Sequence, residues 1–142
     1  MVLPFDTITQ SAKATQRLGE TFGPHKYRII CLWGDLGSGK TTFVQGLARG
    51  LGIQSRLLSP TFIIVRRYHI PKKNGHLYHI DLYRVKGKED INALGFAEMI
   101  AEPESLVVIE WPERLGELLP EKRIDIRFTV LPDGNHKILC LI

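Results

Sequence analysis

The segment Gly34-Asp-Leu-Gly-Ser-Gly-Lys-Thr41 has the residue types and spacing to bind the phosphates of a nucleotide. It fits the pattern G-x-x-x-x-G-K-[ST], in which backbone N–H groups of a glycine-rich loop surround a phosphate chain. Lys40 can then reach the β- and γ-phosphates, and the Thr41 hydroxyl can ligate magnesium. The alternative is a plain glycine turn between a strand and a helix, with Lys40 in solvent. The context of the motif favours the nucleotide site.

A second candidate is Glu110, at the end of the apolar run Leu106-Val-Val-Ile-Glu-Trp111. P-loop enzymes use a carboxylate that follows a hydrophobic strand to hold magnesium. A strand beside the one that carries the loop would bring Glu110 close to Thr41. Alone, an acid at a strand end is usually a cap or a solvated group, but the phosphate loop favours the metal role.

Two further residues could serve the γ-phosphate. Asp81 shares a strand face with Leu77 and His79 and could orient an attacking water, or it could simply form a turn at the strand end. Ser59-Pro-Thr61 is a constrained turn whose Thr61 hydroxyl could sense the γ-phosphate, or it could be an ordinary loop. Histidines 69, 76 and 79 are interpreted as packing or surface residues, because His76 and His79 face opposite sides of a strand.

These residues need a strand, a loop and a helix in that order. The buried run 27–33 predicts the strand, and apolar positions 44, 47, 48 and 51 predict the helix, whose positive end would face the phosphates. Helical spacing also predicts an earlier helix, from Ile8, Ala12, Thr15, Leu18 and Phe22, that ends at Gly23-Pro24.

The rest of the chain predicts a hairpin of strands 62–69 and 77–82, a helical stretch from about 89 to 100 interrupted at Gly95, and a final hairpin of 122–130 and 136–142. The predicted fold class is α/β: a P-loop NTPase with a mixed, partly parallel central sheet flanked by helices and two antiparallel hairpins. The 142 residues suit a single domain, 1–142.

Composition narrows the class of protein. Hydrophobic content of 44% and charged content of 24% are ordinary for a globular protein. No apolar run approaches the roughly 20 residues of a membrane span, and the first residues lack a secretory signal, so we expect a cytoplasmic protein that does not contact membranes. Cys31 and Cys140 lie in apolar runs and are predicted to be buried, reduced thiols.

The net charge of +4 is uneven, because residues 66–88 carry +6 and the remainder −2. The seven basic residues are Arg66, Arg67, Lys72, Lys73, Arg84, Lys86 and Lys88. Such a basic hairpin could contact RNA or an acidic partner, or it could be a solvated edge that discourages aggregation.

Four segments in this order resemble the successive motifs of the bacterial TsaE (YjeE) family over essentially the whole chain: Gly34–Thr42, Ser59–Phe62, His79-Ile-Asp-Leu-Tyr-Arg84 and Ile109-Glu-Trp-Pro-Glu113. The phosphate loop is generic, and the other three segments are much more specific. The resemblance implies a small ATPase that supports formation of threonylcarbamoyladenosine at position 37 of tRNA. It also implies that the protein acts with the TsaD and TsaB proteins and that it reaches tRNA indirectly, through their complex.

The resemblance implies a role for each matching residue. ATP would contact the loop and the segment before the first helix, through Ser11, Gly37, Ser38, Gly39, Lys40, Thr41 and Thr42. Thr41 and Glu110 would hold Mg²⁺. Catalysis would involve Lys40, Thr61, Asp81 and Glu110, with Trp111 beside the site as support or partner contact.

Other functions remain open. A small-molecule kinase shares the loop but needs a lid and an acceptor pocket. A GTPase is disfavoured because no [NT]-K-x-D segment is present, and a transporter ATPase because no L-S-G-G-Q segment is present. A nucleotide-gated binding module would bind ATP without turning it over.

Overall fold

A computed structural model describes residues 3–22, 27–54 and 64–142. Seven strands form one sheet in the order β1-β7-β6-β2-β5-β4-β3. The strands are β1 Phe5–Thr9, β2 Ile29–Trp33, β3 Val65–His69, β4 His76–Asp81, β5 Leu106–Glu110, β6 Ile124–Val130 and β7 His136–Leu141. The helices are α1 Ala12–Glu20, α2 Lys40–Gly50, α3 Lys88–Ala93 and α4 Phe96–Ala101, with a 3-10 helix at Pro112–Leu118.

The centre of the sheet is parallel and its edges are antiparallel. Strand β2 pairs in parallel with both β5 and β6, and β4 pairs in parallel with β5. The pairs β1–β7, β6–β7 and β3–β4 are antiparallel. The mixed, partly parallel sheet and both predicted hairpins are therefore confirmed. The carboxyl ends of β2, β4 and β5 meet at one edge, where the ligands of open α/β sheets bind.

Each face of the sheet carries its own apolar core, and β2 contributes to both. Its Ile30 and Leu32 pack with Phe43, Val44 and Leu47 of α2. Its Cys31 packs on the other side, in a cluster that includes side chains of α3, α4 and the 3-10 helix. A strand buried on both sides needs an unbroken apolar run, which explains the sequence Ile-Ile-Cys-Leu-Trp. Cys31 and Cys140 are free and buried, as predicted.

The amino-terminal region differs from the prediction. Ile8, assigned to the first helix, lies in β1 and is 54% exposed, and α1 begins only at Ala12. Strand β1 is specified by its pairing with β7, more than 120 residues later, and no local pattern contains that information. The predicted stop at Gly23-Pro24 and the start of the first hairpin at Phe62 fall outside the described residues.

The prediction of two helical pieces around Gly95 is confirmed, because α3 ends at Ala93 and Gly95 adopts a left-handed conformation before α4. Within the described ranges, no helix has the length and apolar character needed to cross a bilayer.

Candidate functional site

The predicted phosphate loop joins β2 to the first turn of α2. Gly39, with φ of 105°, is the residue before the helix, and the helix starts at Lys40, one turn before the first predicted apolar position, Val44. The first turn of α2 contains no acidic residue. The backbone N–H groups of Lys40, Thr41 and Thr42 lie in that turn, where an α-helix offers them no partner of its own. With the positive end of the helix dipole, they form an anion-binding site.

Two positions of the loop, Gly34 and Ser38, show why the motif requires glycine at its first position and can contain serine before its last glycine. Gly34 has φ of 147°, and a Cβ atom there would lie 2.6 Å from the Phe128 carbonyl oxygen and 2.8 Å from the Ser38 hydroxyl. Ser38 is 2% exposed, and its hydroxyl has no hydrogen-bond partner among the described residues. A buried hydroxyl without a partner in a phosphate loop is consistent with contact to a ligand oxygen.

Lys40 is folded back over the loop. Its ammonium donates hydrogen bonds to the carbonyl oxygens of Gly34 and, at 3.2 Å, Asp35, and it lies 4.4 Å from the centre of the Trp111 ring. Burial lowers the pKa of Lys40, and nearby carboxylates, Glu110 first among them, oppose that shift. Among the described residues, the contacts found for this desolvated cation are with carbonyl oxygens and a ring, which makes it well suited to phosphate oxygens.

Thr41 and Glu110 meet as predicted. Strands β2 and β5 pair with Leu32 opposite Glu110, which brings the carboxylate to the start of α2. The Thr41 Oγ1 atom lies 3.4 Å from each oxygen of Glu110, and Glu110 is 4% exposed. One hydroxyl and one carboxylate fit Mg²⁺, which takes few protein oxygens and completes its shell with phosphates and water.

His79 is a site residue that the sequence interpretation missed. The sequence predicts a packing or surface role for it, and its full burial agrees with packing. What the sequence did not predict is that its Nε2 atom lies 2.5 Å from Oε2 of Glu110. His76 lies on the other face of β4, as its odd spacing from His79 predicts, and contacts Glu102 at 2.8 Å. The register of β4 against β5 was the missing information.

Asp81 lies opposite Glu110 in the β4–β5 register and lines the same cavity. It also accepts the backbone N–H of Tyr83 at 2.9 Å, so it forms the turn at the strand end as well. Burial raises the pKa of Asp81, the Tyr83 N–H opposes that shift, and the neighbouring Glu110 charge adds to it. The two alternatives weighed from the sequence are therefore not exclusive.

A cavity of about 460 Å³ lies between the loop and these carboxylates. Its lining includes four residues that lie in none of the quoted motifs, namely Ala12, Thr15, Ile64 and His136. Leu36, Tyr83 and Arg84 also line it; they lie in quoted motifs, but the sequence had given them no role at this site. His136 of β7 contacts the Ser38 carbonyl oxygen through Nδ1 at 2.5 Å and so ties the distant carboxyl-terminal hairpin to the loop. Trp111 also lines the cavity, with φ of 59° and its ring centre 5.0 Å from that of Tyr83.

Two predicted site residues are not brought to this cavity by an observed contact. Ser11 caps α1, its hydroxyl accepting the Ala14 N–H at 3.0 Å, while Ala12 next to it lines the cavity. Thr61 lies outside the described residues, as does the whole Ser59-Pro60-Thr61 turn.

The basic segment 66–88 is divided between different surroundings. Arg84 lines the cavity, and Lys88 pairs with Glu117 at 2.7 Å. Arg66 and Arg67 lie on β3, the last strand at one edge of the sheet. These positions leave RNA contact, partner contact and a solvated edge as open interpretations.

The chain is similar to known proteins over most of its length. The family model of the "Threonylcarbamoyl adenosine biosynthesis protein TsaE" matches residues 9–138. Among curated proteins, the tRNA threonylcarbamoyladenosine biosynthesis protein TsaE of Treponema pallidum is 41% identical over 133 residues, covering 92% of this chain and 96% of that protein. Its counterpart from Rickettsia prowazekii is 37% identical, covering 93% and 90%. The crystal structure of Bacillus subtilus YdiB superposes with a TM-score of 0.75 at 29% identity, covering 100% of this chain and 88% of that one.

Proposed function

The chain belongs to the TsaE family, and on that premise we propose that it is a magnesium-dependent ATPase that supports formation of threonylcarbamoyladenosine at position 37 of tRNA. The observation that carries the ATPase part is the meeting of Thr41 and Glu110 at the mouth of the phosphate loop. A plain glycine turn gives no reason to bury a carboxylate beside it, because burial of a charge is costly. His79 offsets part of that cost at one oxygen, and Mg²⁺ held by Thr41 and Glu110 would offset more of it.

Each part of the site has a task in this proposal. The N–H groups at the start of α2 and the Lys40 ammonium bind the phosphate chain, and Ser38 and Thr42 add hydroxyl contacts. Thr41 and Glu110 hold Mg²⁺, which when bound neutralises charge on the terminal phosphates. Asp81, at the same edge of the sheet, orients the attacking water.

ATP is the proposed nucleotide because the chain lacks a guanine-reading segment. The base would lie along the α1 side of the cavity, where Ala12 and Thr15 line the wall, and Ser11, the residue before Ala12, stays a proposed contact on the resemblance alone. Thr61 completes the proposed set near the γ-phosphate, on the resemblance of its Ser-Pro-Thr segment alone.

The proposed partners are the TsaD and TsaB proteins, with tRNA reached through their complex. This part rests on the family. An apolar side chain at the loop, Leu36, is 70% exposed beside the cavity, and Tyr83 is 43% exposed. Exposed apolar residues at the mouth of the site would let a bound partner sense whether nucleotide is present.

Replacement of Glu110 tests the magnesium role. We expect Glu110→Ala to lower the Mg²⁺ affinity of the ATP-bound protein by at least about tenfold, because a metal ligand matters no less than the groups that support it. Binding of ATP in EDTA should stay near the wild-type value. Glu121→Ala, a change at an exposed carboxylate, is the matched control. Unaltered magnesium dependence in Glu110→Ala would show that the metal role is wrong.

The second candidate is a nucleotide-gated binding module. The way in which Lys40 contacts the loop carbonyls and Trp111 favours it, because ATP would have to draw the lysine away and so change the surface around Trp111. Turnover measurements separate the two candidates, since a gated module binds ATP without hydrolysing it.

A further inference from the structure

His79 is a buried side chain that the proposed ATPase does not yet use. It lies on β4, is 0% exposed, and places Nε2 2.5 Å from Oε2 of Glu110. An ionised carboxylate can only accept hydrogen bonds, so the tautomer that matches this contact is the one in which the imidazole donates its Nε2–H. The other nitrogen, Nδ1, is buried and has no partner in the part of the chain that the structure describes.

The unpartnered Nδ1 argues against a histidine that merely fills space. Leu77 and Ile80, its neighbours along β4, are equally buried and entirely apolar. An apolar side chain at position 79 would pack there without leaving a ring nitrogen desolvated and unpaired. The contact with Glu110 is the feature of this environment that only a polar side chain can provide.

That contact fixes the carboxylate in a particular way. Glu110 is 4% exposed, so little water competes for its oxygens. His79 holds Oε2, and the Thr41 hydroxyl lies 3.4 Å from both Oε1 and Oε2. A carboxylate anchored through one oxygen cannot rotate freely, and here the anchored group has both of its oxygens equally close to Thr41, at the start of α2.

We propose that His79 is a positioning residue, whose Nε2–H holds one oxygen of Glu110 so that the carboxylate faces Thr41 in the orientation that Mg²⁺ requires. This inference rests on the proposed function. Removing the hydrogen bond that supports a ligating group typically weakens metal binding about 10–100-fold, which sets the effect expected here.

Three substitutions separate hydrogen bonding from packing. His79→Gln places an amide N–H about where Nε2 lies. His79→Asn places its amide about where Nδ1 lies, closer to the backbone, so that it does not reach Glu110. His79→Leu removes both nitrogens. The control is His76→Gln, on the same strand but in contact with Glu102 rather than Glu110.

The measurement is calorimetric titration of MgCl₂ into protein saturated with a non-hydrolysable ATP analogue, with analogue affinity in EDTA recorded separately. We expect His79→Leu and His79→Asn to lose about 10–100-fold in Mg²⁺ affinity with analogue affinity in EDTA unchanged. His79→Gln should recover most of that loss, and His76→Gln should match wild type. Combined with Glu110→Ala, His79→Leu should cause no additional loss, because its effect acts through the missing carboxylate.

Each result has a definite meaning. If the wild-type protein saturated with the analogue binds no Mg²⁺, the proposed function fails and the role of His79 fails with it. If wild type responds and His79→Leu binds Mg²⁺ equally well, only the role of His79 is overturned. Should His79→Leu fail to fold, equal Mg²⁺ affinities for the Gln and Asn variants would overturn the role instead.

Discussion

The phosphate loop and the carboxylate corner, which consists of His79, Asp81 and Glu110, meet at one cavity but are built differently; Asp81 and Glu110 line the cavity, and His79 contacts Glu110. The loop is eight consecutive residues, Gly34–Thr41, and acts mainly through its backbone. The corner joins side chains from β4 and β5 that only the sheet register brings together. The loop is therefore suited to bind the nucleotide, and the corner to control magnesium and water.

The largest effect should come from the loop lysine. Lys40→Ala removes the cation that we propose binds the phosphates, and we expect turnover to fall about 10²–10³-fold, as for the loss of other electrostatic contacts to a transition state. ATP affinity should fall as well. Lys88→Ala, which breaks only the exposed pair with Glu117, is the control. Unchanged hydrolysis in Lys40→Ala would mean that the loop is not the site.

A substitution in the carboxylate corner should lower the rate of ATP turnover more than it lowers the affinity for ATP. Asp81→Asn keeps the size of the side chain but removes the charge that we propose orients the attacking water, so we expect turnover to fall about 100-fold. The affinity for ATP should change little. Asp133→Asn is matched, because Asp133 also accepts a backbone N–H two residues on, from Asn135 at 2.9 Å. A loss of ATP affinity equal to the loss of turnover would place Asp81 in binding rather than in hydrolysis.

The loop should be the more fragile region of the backbone. Gly34→Ala forces a side chain to φ of 147° and against the Phe128 carbonyl oxygen. We expect a loss of about 1–3 kcal/mol in the free energy of unfolding, measured by urea denaturation. Gly87→Ala, at φ of −174° with open space around it, should be close to neutral. Equal stabilities for the two variants would contradict the close approach at Gly34.

The smallest expected effect on stability concerns the two apolar cores, one on each face of the sheet. One core contains the thiol of Cys140 and the other that of Cys31. Burial raises the pKa of Cys31 to about 12 and that of Cys140 to about 11, from an ordinary value of 9.0. Because the unfolded chain loses these protons first, stability should fall as pH rises above about 9. At pH 10 the expected loss is about 1 kcal/mol per thiol.

Unfolding in urea at pH 8 and pH 10 measures that loss, with Cys140→Ser as the variant that isolates Cys31. Thiol labelling of the native protein at pH 8 should be slow at both positions and slower at Cys31, which lies on the central strand β2. Fast labelling of Cys31 would show that the core behind the corner opens readily.

The same contrast explains what the sequence could predict. The phosphate loop followed from the motif Gly34–Thr41. The approach of Glu110 to Thr41 followed from the apolar run that ends in Glu110, because that run was predicted to form the strand beside the one that carries the loop. The contacts of His79 and His136 did not follow, because they depend on the registers β4–β5 and β6–β7, which join residues distant in the chain. Strand β1 was missed for the same reason, since Ile8 fits a helical spacing and only β7 makes it a strand residue.

The most direct test of the account is ATP turnover by this chain with Mg²⁺, measured alone and with purified TsaB and TsaD, with Lys40→Ala as the blank. We expect slow hydrolysis by the chain alone and a sharp rise with the pair, both lost in Lys40→Ala. ATP binding without turnover, even in the presence of TsaB and TsaD, would contradict the ATPase and favour a nucleotide-gated module.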